Sequence, residues 1–222
     1  MSDLLPIFPL PNVVLFPNVF LPLHVFEPRY REMVADAIDS DRMIGIVLLK
    51  KGWEHEYEGR PPVFPIGCSG VITHVDRLED GRYNIVLRGM ERFRVIEEDH
   101  GRTYRRALVD PLVEGALTAE DRSALRRHRS RLEVLLAPAM DRDLGSASAA
   151  DETKPGSDPM IPSGMADEEL VNALAQYLDI EPIEKQALLE RESLRSRAES
   201  LVELLEMKIM LGRTPASTHV AH

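Results

Sequence analysis

Proline interrupts the apolar N-terminal stretch at positions 6, 9, 11, 17, 22 and 28. A proline nitrogen has no hydrogen to donate to a ladder. The segments Leu4–Pro11, Val13–Phe16 and Val19–Phe26 are therefore confined to sheet edges, strand starts and bends. Pro28 sits where a helix begins, a position at which the missing N–H costs nothing. Behind it Tyr30, Met33, Val34, Ala37 and Ile38 recur at helical spacing, which predicts an amphipathic helix of about three turns. Met43–Leu49 is short, apolar and rich in β-branched residues, as expected of a strand buried on both faces.

The polar stretch Gly52–Pro62 separates this block from a predicted meander. Ile66–Val75 runs on towards Arg77-Leu78, and Asp80-Gly81 predicts a hairpin turn of type I′. Tyr83, Ile85 and Leu87 alternate with Asn84 and Arg88, the pattern of a half-buried strand. Gly89 predicts a second turn, Arg92–Val95 another strand and Tyr104–Val109 a last one. Some seven short strands with one crossover helix point to a small, strongly bent sheet or barrel.

The remainder reads as helical, so the fold class is α+β. Thr118-Ala119-Glu120-Asp121 resembles a capping box ahead of Leu125, Leu132, Leu135 and Leu136. Residues 138–165 collect proline, glycine and serine and predict a long mobile loop. Helical spacing resumes at Asp167 with Leu170, Val171 and Leu174, restarts at Pro182, and runs from Ser193 to a stop at Gly212. The expected organisation is a β-rich domain over 1–112, a helical bundle over 113–212 and a flexible tail over 213–222.

The balance of 27 basic against 37 acidic side chains, a net charge of −10, gives no general surplus of cations for phosphate backbones. One cysteine cannot form an internal disulfide or supply a multi-thiolate zinc site. With no secretory signal visible at the N-terminus and Met43–Leu49 far shorter than the ~20 residues of a membrane span, a cytoplasmic protein is expected. No Gly-Lys dipeptide occurs, which excludes a P-loop. His55-Glu56 lacks a second histidine one turn on, and Gly67-Cys68-Ser69-Gly70 is one residue short of a nucleophile elbow. Cys68 is the sole candidate nucleophile, but it lies in an apolar strand with no cation nearby to lower its pKa. No catalytic residues, metal or cofactor are therefore expected; the residue inventory favours a protein that binds.

Three ordered blocks carry a family resemblance. The run Leu5-Pro6-Ile7-Phe8-Pro9-Leu10-Pro11-Asn12-Val13-Val14-Leu15-Phe16-Pro17, continuing through Phe20-Leu21-Pro22-Leu23-His24-Val25-Phe26-Glu27-Pro28-Arg29-Tyr30, closely resembles the amino-terminal substrate-binding domain of Lon-type ATP-dependent proteases. Pro65–Ile72 is similar to the second block, and Asp80–Gly89 with Arg92–Val95 to the third. Asn18 stands where many members have glycine after Phe-Pro. The resemblance implies a PUA-like β-barrel followed by a helical bundle and a role in recognising protein substrates. It also implies a stand-alone version of the domain without ATPase or Ser-Lys protease, an adaptor or chaperone-like accessory in protein turnover.

Candidate binding residues follow. Phe16, Phe20, Leu21, His24 and Phe26 are candidates for an apolar groove that grips unfolded or exposed polypeptide by strand addition and side-chain pockets. Alternate members of this apolar set could equally fill the barrel. Arg88, Arg92 and Arg94, with Arg105 and Arg106, are the candidates for an alternative RNA-binding reading, since PUA-like barrels include RNA binders. Trp53 and Tyr57 are candidates to anchor a partner. A self-association module is the third reading. Expected partners are therefore polypeptide segments, a protease or chaperone, or a second copy, with neither membrane nor nucleic acid favoured.

Overall fold

The computed structural model describes residues 4–55, 59–146 and 165–212. In chain order the elements are β1 (Leu5–Leu10), β2 (Phe20–Val25), α1 (Pro28–Ile38), β3 (Met43–Leu48), β4 (Ile66–Arg77), β5 (Tyr83–Asp99) and β6 (Arg105–Pro111). Four helices follow: α2 (Ala119–Ser146), α3 (Asp167–Tyr177), α4 (Pro182–Leu189) and α5 (Leu194–Met210). Contacts divide the chain into two compact units. One comprises Met1–Glu114 with Glu181–Glu190, the other Gly115–Ile180 with Arg191–Ala221. The sequence reading places α4 in the bundle, whereas the contacts group it with the strands.

The first unit holds one six-stranded sheet in the order β2-β5-β4-β3-β1-β6, with β1 and β3 parallel and the other neighbours antiparallel. The β-barrel expected from the resemblance is corrected here: the sheet is not a closed barrel. Among the described residues strand β2 has β5 as its only neighbour and forms an open edge. The length of β5 accounts for that edge, because its 17 residues change partners along the way. Tyr83–Arg88 pair with β2, while Phe93–Asp99 bend round to pair with β6. A register shift between Val95 and Glu97 marks the bend, as a bulge does when it increases local twist.

Two further sequence expectations give way. Gly89 lies inside β5 rather than at a turn, and Val13–Phe16 form no strand. The Asp80-Gly81 hairpin is present, but only Gly81 takes a positive φ, of 80°. Gly81 N–H donates to Leu78 O and Leu78 N–H donates to Arg82 O, each at 2.9 Å. That is a type I turn closed by a left-handed glycine, which turns a hairpin as well as a type I′ turn does.

Other local rules hold. Pro28 opens α1 after Glu27, and Tyr30, Met33, Val34 and Ala37 are its buried face. β3 is buried along nearly its whole length, between β1 and β4. Ile7, Val47, Phe93 and Ala107 form a buried cluster beneath Leu5, Val63, Val95 and Val109.

In the second unit α2 begins with a reciprocal cap. Asp121 N–H donates to Thr118 Oγ1, and Thr118 N–H donates to Asp121 Oδ2, both at 3.1 Å. Ser193 and Ser196 cap α5 in the same way. Leu125, Leu132, Leu170, Leu201 and Leu205 are buried, as their spacing predicts. The fully buried Arg197 donates to Asn172 Oδ1 at 2.9 Å. Helix α2 runs to Ser146, so residues 138–146 of the predicted loop are helical. The rest of that loop before Met165, and the tail over 213–222, lie outside the described residues.

Candidate functional site

The alternation of β2 sorts the N-terminal candidates. Leu21 and Val25 point inward and are buried, with Leu23 between them half-buried; Phe20, Pro22 and His24 point outward. Phe20 is 50% exposed, and Phe26, just past the strand, is 60% exposed. Phe16 is fully buried and Leu21 nearly so, which places both in the core. Of the five candidates, the structure therefore brings Phe20, His24 and Phe26 to one surface. Across the ladder Phe20 faces Arg88, Pro22 faces Val86 and His24 faces Asn84, so these β5 residues share the outer face.

Backbone direction explains how Pro22 is accommodated. Gly89 N–H donates to Val19 O at 2.8 Å. Ladder bonds alternate along an antiparallel strand, so Leu21, Leu23 and Val25 continue the bonded pairs. The nitrogen of Pro22 thus points away from β5, and its missing hydrogen costs the ladder nothing. Entry to β2 is set by Asn18, whose φ of 62° is left-handed and whose N–H donates to Gly89 O at 2.9 Å. Asparagine is, after glycine, among the residues that tolerate this conformation best, which accounts for its place after Phe16-Pro17.

His24 is held from both sides. Nδ1 donates to Asn84 Oδ1 at 2.7 Å, and Nε2 accepts from Arg82 Nη1 at 3.1 Å. Asn84 Nδ2 in turn donates to Asp76 Oδ2 at 3.4 Å, and Arg82 Nε donates to Asp80 at 2.5 Å. Asp80 is held below the usual carboxylate range, first by accepting the Arg82 backbone N–H and also by the Arg82 guanidinium, against a smaller opposing effect of burial. This chain of polar groups fixes the imidazole, which stacks with Phe26 at a centroid distance of 6.2 Å and an interplanar angle of 27°. Both ring nitrogens are occupied, which fixes the plane of the ring.

The arginine candidates do not form one surface. Arg88 and Arg94 are exposed, and Arg88 donates to Asn18 Oδ1 at 3.4 Å. Arg92 is 3% exposed; its Nη1 donates to Leu189 O at 2.9 Å and its Nε lies 3.1 Å from Glu114 Oε1. Arg105 pairs with Glu98, and Arg106 with Asp99. Three of the five arginines are therefore tied to carboxylates.

Cys68 is fully buried, its thiol directed to Ser69 O at 3.4 Å. Trp53 is half-buried in a short 3-10 turn, and Tyr57 lies outside the described residues. Among the described residues no group of three His, Cys, Asp or Glu is placed to hold a metal. No helix there is long and apolar enough to cross a membrane. Sequence reasoning passed over Pro22, Arg82 and Asn84. The period-two alternation of residues 20–25 was the signal that separates the outward from the inward set.

The first unit is thus an α+β unit that displays aromatic side chains beside a clamped histidine, with its thiol sealed in the core. The family model described as the ATP-dependent protease La (LON) substrate-binding domain matches residues 4–207, and the chain belongs to that family. It is 30% identical over 210 residues to Lon protease 2 of Myxococcus xanthus, covering 93% of this chain and 24% of that one. It is 26% identical over 204 residues to Lon protease of Anaeromyxobacter dehalogenans, covering 92% of this chain and 23% of that one.

The chain thus spans about a quarter of the length of these relatives. Its fold matches the N-terminal domain of a Mycobacterium avium complex Lon protease with a TM-score of 0.62 at 16% identity, covering 92% and 98% of the two chains. It also matches the Lon N-terminal domain protein from Xanthomonas campestris with a TM-score of 0.56 at 25% identity, covering 90% and 98%. The chain is thus a domain of the Lon substrate-binding type, matched over residues 4–207.

Proposed function

We propose that the domain binds unfolded or exposed polypeptide segments on the outer face of β2 and β5, and presents them to a protease or chaperone in the cytoplasm. Phe20, His24 and Phe26 make the contact. The observation that carries this reading is the exposure of Phe20 and Phe26, 50% and 60%, either side of an imidazole clamped by Arg82 and Asn84. Large aromatics on a fixed support are the side chains that dominate recognition surfaces. Contact runs through side chains rather than through an added strand, because Pro22 offers no N–H at the middle of the open edge. The family's description as a substrate-binding domain supports the same reading.

The test is a fluorescence-anisotropy titration of a labelled, permanently unfolded polypeptide into the purified domain. The wild type binds with a Kd below about 100 µM, equivalent to ~5.5 kcal/mol, and Phe20→Ser with Phe26→Ser weakens binding at least ~10-fold. Circular dichroism of the double variant stays that of the wild type, since both side chains are on the surface. Absence of wild-type binding refutes the proposal. Tight, steeply salt-dependent binding of structured RNA in a parallel titration would favour the nucleic-acid reading instead. Light scattering that changes with concentration would favour self-association.

A further inference from the structure

A second surface of the same unit has an unbalanced charge. A groove of about 890 Å³ opens beside the C-terminal end of α1. Its volume is within the ~300–1,000 Å³ typical of ligand sites. Leu4, Leu5, Met43, Phe93, Val109 and Pro111 supply its apolar lining.

The charged residues at the same groove do not cancel. Arg102 lies 3.5 Å from Asp36 and 3.8 Å from Glu32, and Arg106 pairs with Asp99, so both cations are already matched. Asp39, Asp41 and Glu91 also line the groove. Among the described residues none of these three carboxylates is in an ion pair. Asp41 accepts the Met43 N–H at 3.0 Å.

The helix end adds to the imbalance. The carbonyl end of a helix carries about half a negative charge, and natural sequences usually place a basic residue there. Helix α1 has none in its last turn and instead carries Asp39 at its C-cap. Arg42 follows in a left-handed conformation with φ of 63° and does not line the groove. Three carboxylates and a helix C-terminus thus gather at one apolar groove without a matching cation.

We infer that this groove is a docking site for a polypeptide segment that pairs an apolar side chain with lysine or arginine. The apolar side chain enters among Met43, Phe93 and Val109, and the cation lies against Asp39, Asp41 and Glu91. The inference rests on the polypeptide-binding reading and names a sequence preference within it, at a surface separate from Phe20 and Phe26. It gives the domain two contact points and selects basic over acidic clients.

The test compares three labelled peptides that share one apolar core and carry flanking lysines, glutamates or serines. They are titrated into the wild type, into Asp39→Asn with Asp41→Asn and Glu91→Gln, and into Phe20→Ser with Phe26→Ser. Asparagine at 41 can still accept the Met43 N–H, which protects the fold. The lysine peptide binds the wild type at least tenfold more tightly than the glutamate peptide. The preference shrinks at least fivefold at high salt, which screens exposed charges, or in the triple variant, which removes them, and persists in the phenylalanine variant. Equal binding of the three peptides, or a preference unchanged by the triple variant, overturns this inference alone. Failure of every peptide to bind overturns it together with the polypeptide-binding reading.

Discussion

Replacing Gly89 by alanine tests the junction that places the candidate face. A Cβ built on Gly89 meets the Phe16 carbonyl oxygen at 2.0 Å, its carbon at 2.9 Å and Pro17 Cα at 3.3 Å. All three are backbone atoms, so no side-chain rotation relieves the overlap. The two chains must separate, and they are joined by Gly89 N–H to Val19 O at 2.8 Å and Asn18 N–H to Gly89 O at 2.9 Å. Overpacking costs roughly 1–3 kcal/mol. Two weakened hydrogen bonds add about 1 kcal/mol each. The expected loss is therefore about 4 kcal/mol, a large share of a typical stability of ~5–15 kcal/mol.

The assay is urea unfolding followed by the circular dichroism of the sheet, with Gly115→Ala as the control. A Cβ at Gly115 has nothing within 4 Å, so that change is expected to be neutral or slightly stabilising. Amide exchange on β2 resolves where the loss falls, with Phe20–Val25 losing protection first. A Gly89→Ala midpoint within about 0.5 kcal/mol of the wild type, the range of an ordinary surface change, would refute the close-approach argument.

Two further outcomes follow from buried or half-buried polar groups. Arg92→Met leaves Glu114 and the C-terminal carbonyl of α4 without their guanidinium; it is expected to cost about 3 kcal/mol and to speed amide exchange across Pro182–Leu189. Unchanged exchange there would show that Arg92 does not hold α4 to the sheet. The Tyr104 hydroxyl is pushed up to about 12, first by burial and then by its 2.7 Å bond to Asp36. The folded state holds this proton more tightly than the unfolded chain does. The corresponding stability is therefore complete below about pH 10 and declines as pH rises from there through about 12. An ultraviolet titration should show a late-ionising phase that Tyr104→Phe removes; a wild-type titration unchanged at its high-pH end by Tyr104→Phe would contradict the burial.

The candidate surface was partly legible before the structure. Phe20, His24 and Phe26 stand an even number of residues apart, so one strand periodicity carries all three outward and Leu21 inward. What hid this was the proline content, which made the strand's extent uncertain and left Phe16 grouped with Phe20. Phe16 precedes a left-handed Asn18 that reverses the chain, so the alternation does not carry across from one aromatic to the other. The groove beside α1 had no sequence signal at all. Its lining comes from β1, α1, β3, β4, β5 and β6, and only the sheet order brings those positions together.

Local chemistry set the elements of this protein. Pro28 started α1, Asp80-Gly81 turned a hairpin, and Thr118 with Asp121 capped α2, because each depends on a φ value or a hydrogen bond within four residues. The tertiary structure decided what happens to long elements and to buried charge. Gly89 stays in a strand because β5 is held on both sides, and β2 is left as an edge because β5 exchanges β2 for β6 midway. Helix α4 belongs with the strands because Gln186 donates to Ile66 O and Arg92 to Leu189 O, across sequence separations of 120 and 97 residues. Such bonds depend on where distant backbone carbonyls come to rest, and no local pattern encodes that.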